Sequence, residues 1–272
     1  QAAMVARIPI AHVHGGEATF GLIDEAIRHA VTKMAQLHFV AAEPYGRRVI
    51  QMGEPPERVF VHGTPGLDHL RRTDWMSREE LSASPGVQLR SPLFLVTYHP
   101  VTLQKDPAAG MAALISALEA FPDASVIITY PNADTGGRAI FGLIEGFAAR
   151  HPERVAAVAS LGQRRYLSAM RLADVVIGNS SSGLTEAPAL RRPTVNIGDR
   201  QEGRLKAESV IDCPERADDV VAAIHRALSP QMQRILERLN PVYGESGASA
   251  KIAHTLKTLP LEGLIKKRFH DL

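Results

Sequence analysis

Short apolar, β-branched runs alternate along this chain with longer stretches whose apolar positions recur every three or four residues. The first pattern predicts strands and the second amphipathic helices. Strands are expected at 8–14, 37–42, 58–63, 93–98, 125–130, 154–160, 174–179 and 193–198. Helices are expected at 24–36, 44–53, 108–121, 137–151, 163–172, 183–191 and 215–228. Strands alternating with helices of this length predict an α/β fold with doubly wound parallel sheets. Runs such as LFLVTY (93–98) are apolar on both faces, as a sheet covered by helices on each side requires.

The polar stretch 71–92 interrupts the pattern, carries Ser-Pro-Gly and holds the only Trp. It reads as a linker between two lobes. Residues 93–228 then form a nearly complete Rossmann-like lobe, and residues 1–70 only part of one. The end, 229–272, reads as two helices around NPVYGESGASA. The opening QAAMVAR reads as the tail of a helix and lacks an initiator Met. Half a lobe and a helix tail together predict that the natural beginning is missing.

Composition narrows the class. The 272 residues are 45% apolar and 22% charged, which is globular and leaves two lobes as the expected organisation. Lys and Arg number 31 against 29 Asp and Glu, a net charge of +2 that does not suit nucleic acid binding by bulk charge. A single cysteine, Cys213, excludes an internal disulfide framework and points to a reducing, cytoplasmic home. Since no apolar run approaches about 18 residues, no membrane-spanning helix is expected.

Four stretches can carry chemistry. In residues 12–33 a strand ends at His12 and His14, Gly15-Gly16 turns the chain, and a helix opens near Asp24. Glu17, Asp24, Glu25, Arg28 and His29 crowd this turn, and spacings of three and four put the helical ones on one face. A purely structural reading makes Asp24 and Glu25 helix-start residues paired with Arg28. Seven polar residues beside a double glycine favour function. Two histidines and a glutamate are a weak metal pattern, and no metal is expected.

His99 emerges at the end of LFLVTY, and Asn132 with Asp134 at the end of SVIITY, where open α/β sheets bind ligands. In 175–204 a strand runs into Gly178-Asn179-Ser180-Ser181-Ser182-Gly183 and then a short helix. Hydroxyls and backbone N–H groups at such a start suit an anion, so Ser180 and Ser181 are candidates for a pyrophosphate. Glu186 is placed to accept from ribose hydroxyls, and Arg200 brings a cation to the same rim.

Residues 12–33, HPVT (99–102), GNSS (178–181) with Glu186, and NIGDRQEGR (196–204) together resemble the hydrolysing UDP-N-acetylglucosamine 2-epimerases of the sialic acid, legionaminic acid and bacillosamine type. The resemblance runs through YGESGASAKI (243–252). It implies a two-lobed, glycosyltransferase-B-type fold with the first lobe incomplete, and 229–272 returning to that lobe. It implies elimination of a nucleoside diphosphate from a UDP- or GDP-linked 2-acetamido sugar, followed by hydration to the free 2-epimer. Asp24 would then do acid/base work, with His14, Glu17 and His99 in the catalytic set. Ser180, Ser181 and Arg200 would hold the diphosphate and Glu186 the ribose. Arg28, Glu25 and Asn132 would support the substrate. Many relatives carry a glutamate where this chain has His14. No cofactor is expected, and the partners are the nucleotide sugar and further copies of the chain, as a dimer or tetramer. Two rival readings stay open: a glycosyltransferase of the same fold, and a non-catalytic nucleotide-sugar binder.

Overall fold

The computed structural model describes residues 1–20, 23–83, 87–100, 108–131 and 137–272. The chain divides into two compact units. Unit 1 comprises Gln1–Arg72 and Val242–Leu272, and unit 2 Thr73–Pro241.

Unit 1 opens with α1 (Ala2–Val5), β1 (Ala11–Val13), α2 (Asp24–Met34), β2 (Leu37–Val40), α3 (Glu43–Gln51), β3 (Val59–Val61) and α4 (His69–Arg72). Its strands form a three-stranded parallel sheet in the order β1-β2-β3. Leu37 and Phe39 of β2 pack with Ile252 and Leu264 from the end of the chain. The Tyr45 and Tyr243 hydroxyls meet at 3.0 Å.

Unit 2 carries α5 (Arg78–Ala83), β4 (Leu93–Thr97), α6 (Ala109–Glu119), β5 (Ser125–Thr129), α7 (Gly137–Arg150), β6 (Val155–Val158), α8 (Gly162–Leu172), β7 (Val175–Gly178), α9 (Ser182–Ala189), β8 (Thr194–Ile197), β9 (Val210–Cys213), α10 (Ala217–Ala227) and α11 (Pro230–Arg238). The strands make one six-stranded sheet, all parallel, in the order β6-β5-β4-β7-β8-β9. This is the Rossmann order, and it reverses direction between β4 and β7. Every residue of β4, β5 and β7 is buried. Leu93 and Leu95 face Ala169 and Met170 of α8, whereas Phe94 packs edge-on against Phe121 after α6. The alternation along β4 therefore serves two helical layers.

Two boundaries and one strand differ from the sequence reading. Residues 71–92 are not a free linker beyond Arg72, because Leu81 of α5 and Leu89 lie in the unit 2 core and the Met76 N–H donates to Ser168 Oγ at 3.1 Å. α11 stays in unit 2, with Met232 and Leu236 buried and Arg191 donating to the Leu236 carbonyl. Only α12 (Ala248–Thr258) and its flanks belong with unit 1, where Asp68 caps it by accepting from the N–H groups of Gly247, Ala248 and Ser249. β9 is an additional edge strand.

Candidate functional site

The candidate residues form two groups, one in each unit. In unit 1 the chain leaves β1 through His14, which is held in the left-handed region (φ 66°) that L-residues avoid. Its N–H donates to the Phe39 carbonyl at 2.9 Å. Both ring nitrogens are engaged: Nδ1 lies 2.7 Å from Glu17 Oε1 and Nε2 3.2 Å from Thr64 Oγ1. Glu17 is buried at 3% exposure, while the His14 ring keeps an open edge. A buried carboxylate that fixes an exposed imidazole is the arrangement that orients an acid/base histidine.

Gly16 explains the turn. Its φ is 76°, and a Cβ there would stand 2.2 Å from the Tyr45 carbonyl oxygen. Arg48, which the sequence did not single out, donates to the Gly16 carbonyl.

The helix-face expectation resolves in favour of Glu25. Arg28 Nη1 donates to Glu25 Oε2 at 3.0 Å, to Thr19 Oγ1 at 3.1 Å and to the Glu17 carbonyl at 3.3 Å. Glu25 also takes the Thr19 N–H at 2.5 Å and meets His29 Nε2 at 3.0 Å. Burial pushes the Glu25 carboxyl up, but the Thr19 N–H, His29 and Arg28 outweigh it and hold it below its usual value. Asp24 behaves differently. It is the first residue of α2 rather than its cap, and it is exposed. Arg28 therefore pairs with Glu25 and not with Asp24, and the capping role expected of Asp24 is absent. His12 rests against Thr32 Oγ1 at 3.2 Å. Burial, with His38 and Arg28 nearby, lowers it to about 4, so it is neutral at pH 7.

In unit 2 the group sits where β4 and β7 end, at the reversal of strand order. Adjacent connections run to opposite faces there and leave a crevice for ligands. Asn179, fully buried, brackets the His99 peptide: Oδ1 accepts the His99 N–H at 2.7 Å and Nδ2 donates to the His99 carbonyl at 2.8 Å. The Asn179 carbonyl in turn accepts from Arg200 Nη1 at 3.2 Å and Gln201 Nε2 at 2.8 Å. One residue thus ties together the segments that follow β4, β7 and β8. Gly178 permits the approach, since its φ is 133° and a Cβ would lie 2.0 Å from the Thr97 carbonyl oxygen.

A cavity of about 490 Å³ opens here, lined by His99, Ser180, Ser182, Thr97, Thr129 and Tyr166 among others. His99 and Ser180 lie on the wall of this one cavity. The backbone donors differ from expectation. The Gly183 and Leu184 N–H groups close the first turn on the Ser180 and Ser181 carbonyls, at 3.1 and 3.0 Å. They are spent within the helix start, so the polar lining comes from side chains, hydroxyls together with His99 and Gln163. Ser181 is the N-cap of α9 and its side chain makes no capping bond. Ser182, not Ser181, faces the cavity beside Ser180. Glu186 lies half-buried on α9. Asn132 lies outside the described residues.

Tyr166, Asn179 and Ser182 escaped the sequence reading. Asn179 stood inside the GNSS motif, but Tyr166 reaches the cavity from α8 and left no local signal. Among the described residues no group of three or more His, Cys, Asp or Glu is placed to hold a metal. No helix among them is long and apolar enough to cross a membrane.

Comparison with known proteins places this geometry in a family. The chain is 35% identical to the GDP/UDP-N,N'-diacetylbacillosamine 2-epimerase (hydrolyzing) of Campylobacter jejuni, over 99% of this chain and 70% of that protein. It is 32% identical to the UDP-N,N'-diacetylbacillosamine 2-epimerase (hydrolyzing) of Legionella pneumophila, over 97% of this chain and 68% of that protein. The crystal structure of UDP-GlcNAc 2-epimerase from Neisseria meningitidis bound to UDP-GlcNAc superimposes with a TM-score of 0.79 at 18% identity, covering 94% of this chain and 71% of that one. That likeness is one of fold, the two-lobed glycosyltransferase-B type. The family model described as UDP-N-acetylglucosamine 2-epimerase matches residues 1–257, and the chain belongs to that family.

Proposed function

We propose that the chain acts as a hydrolysing nucleotide-sugar 2-epimerase on a UDP- or GDP-linked 2-acetamido sugar. The observation that carries the reading is the hydroxyl-lined cavity at the strand-order reversal, with His99 and Ser180 on its wall. A nucleotide diphosphate suits such a place, and Arg200, tethered to the Asn179 carbonyl, supplies positive charge to the same segment.

The chemistry has two parts, elimination and hydration. A base takes the C2 proton while the C1–O bond to the diphosphate breaks, so the sugar becomes unsaturated at C1–C2. The departing diphosphate collects negative charge, which hydroxyl donors and a guanidinium stabilise. Water then adds across C1–C2, with hydroxyl at C1 and a proton at C2 on the opposite face. One water is consumed, and the products are the free 2-epimer and the nucleoside diphosphate.

In this reading His99, Ser180 and Arg200 hold the diphosphate, with Ser182 in the place first expected of Ser181, and Glu186 holds the ribose. Asp24 and the His14–Glu17 pair exchange the protons. Asp24 is exposed at the first residue of α2, and the His14 ring is held by Glu17 and Thr64. Glu25, clamped by Thr19, Arg28 and His29, positions this turn and carries a fixed charge.

The test is product analysis with the complete gene product. It is incubated with UDP-N-acetylglucosamine and, separately, with UDP- and GDP-N,N'-diacetylbacillosamine, and NMR follows the sugar. The reading expects free 2-epimer and nucleoside diphosphate in equal amounts from one of these. Sugar passed to an acceptor with C2 unchanged would mark a glycosyltransferase. Tight nucleotide binding without turnover of any of the three would mark a binder.

A further inference from the structure

We infer that Tyr166 is a positioning residue that acts through Ser182 to make Ser180 a pure hydrogen-bond donor toward a phosphate oxygen. The inference rests on the diphosphate reading of this cavity and adds a selectivity device to it.

Protons and lone pairs fix the direction of these bonds. Ser180 Oγ accepts from the Ser182 hydroxyl at 3.0 Å and from the Ser182 N–H at 3.4 Å. A serine oxygen has two lone pairs and one proton, so with both pairs engaged it can only donate. Because the Ser182 proton points at Ser180, the Ser182 oxygen must accept from its other neighbour, the Tyr166 hydroxyl at 2.7 Å. Tyr166, its proton committed to Ser182, also lies 3.3 Å from Thr97 Oγ1. Thr97 is in turn 2.8 Å from Thr129 Oγ1, whose hydroxyl donates to the Val96 carbonyl at 3.4 Å. Three hydroxyls thus run in one direction, Tyr166 to Ser182 to Ser180. All three line the same cavity. Burial pushes the Tyr166 phenol above its usual value, which keeps its proton in place for donation.

Each donation polarises the next hydroxyl, so the Ser180 proton at the end of the row is the strongest donor of the three. A phosphate oxygen carries acceptors only and matches it. A ligand group that must donate finds no acceptor at Ser180. The Tyr166 ring packs against the unit 2 core, so the hydroxyl can be removed while the ring keeps its place.

Affinities for UDP and for uridine, which lacks the phosphates, are measured by calorimetry and by NMR titration. Tyr166→Phe is expected to weaken UDP by about tenfold and to leave uridine within about twofold. Ser182→Ala cuts the same row one step later and gives the same phosphate-selective loss. In the Ser180→Ala background, adding Tyr166→Phe costs nothing further, because the donor it prepares is gone. Three results overturn the inference: UDP affinity unchanged in Tyr166→Phe, equal losses for UDP and uridine, or a double variant as weak as the product of the singles. Failure of the wild-type chain to bind UDP at all would instead remove the diphosphate reading and the relay with it.

Discussion

Asn179 and His99 share two reciprocal hydrogen bonds, side-chain amide against main-chain peptide, at 2.7 and 2.8 Å. The bracket replaces the ladder bonds that β4 can no longer make once it passes Thr97. It fixes where the His99 ring leaves the sheet, and the Asn179 carbonyl fixes Arg200 and Gln201 by the same stroke. Asn179→Ala is therefore expected to strand the buried His99 peptide, at about 2–4 kcal/mol of stability for two unmade bonds. UDP affinity should fall with it. Urea unfolding and UDP titration of the variant check both, and an unchanged midpoint with unchanged affinity would contradict the bracket's importance.

Gly178 makes the neighbouring approach possible. Gly178→Ala forces a side chain into a backbone conformation it resists, 2.0 Å from the Thr97 carbonyl oxygen. A cost on the order of 3 kcal/mol is expected. Chemical unfolding reads it directly, and a midpoint equal to wild type contradicts the geometry.

In unit 1 the titration behaviour has a definite sign. His12 is lowered to about 4 in the folded chain from an ordinary value of 6.5. Buried His38, pushed down by burial despite the Glu54 carboxylate, moves the same way. Between those values the unfolded chain binds more protons than the folded one, so stability rises with pH. It is complete above about 6.5 and lost progressively as pH falls toward 4. Melting curves at pH 7 and pH 5 should show a clear drop, smaller in His12→Gln. Glu25, Glu54 and Asp68 are all held below their usual values, so their contribution is present at pH 7 and pH 5 and is lost only as pH falls through and below the ordinary carboxylate range. Identical pH dependence in wild type and variant would remove His12 as a source.

Asp24→Asn keeps the shape of the side chain and deletes its basicity. Since Asp24 caps nothing, the fold should be unaffected. Turnover should fall by about a hundredfold or more, the usual scale for a positioned acid or base. UDP binding should persist, because the residues proposed to hold the diphosphate, His99, Ser180 and Arg200, belong to unit 2. Melting temperature, turnover and UDP affinity measured side by side check the assignment, and near-normal turnover would sink it.

Much of this architecture was legible in the chain. The unit 2 strands announce themselves as β-branched runs, and β4, β5 and β7 lie within a residue of their expected limits. β9 (VIDC) escaped because it is a four-residue edge strand carrying an exposed Asp212. α5 escaped because its charged face hid the single Leu81 that reaches the core.

The site was half legible for a similar reason. His99 and Ser180 stand at strand ends, where position alone nominates them. Spacing could not decide whether Arg28 serves Asp24 or Glu25, because three and four residues are equally good neighbours on a helix. Tyr166 depends on contacts with Thr97, 69 residues away, and Ser182, 16 away, and no local pattern encodes either.

The most direct test of the central claim is the isotope at C2. The complete gene product is run in D₂O on its accepted nucleotide sugar, and the free product is examined by NMR and mass spectrometry. A base that removes the C2 proton and a hydration that restores one from solvent predict the 2-epimer with one deuterium at C2, formed alongside an equal amount of nucleoside diphosphate. Protium retained at C2, or release of the sugar with its original C2 configuration, would contradict the account.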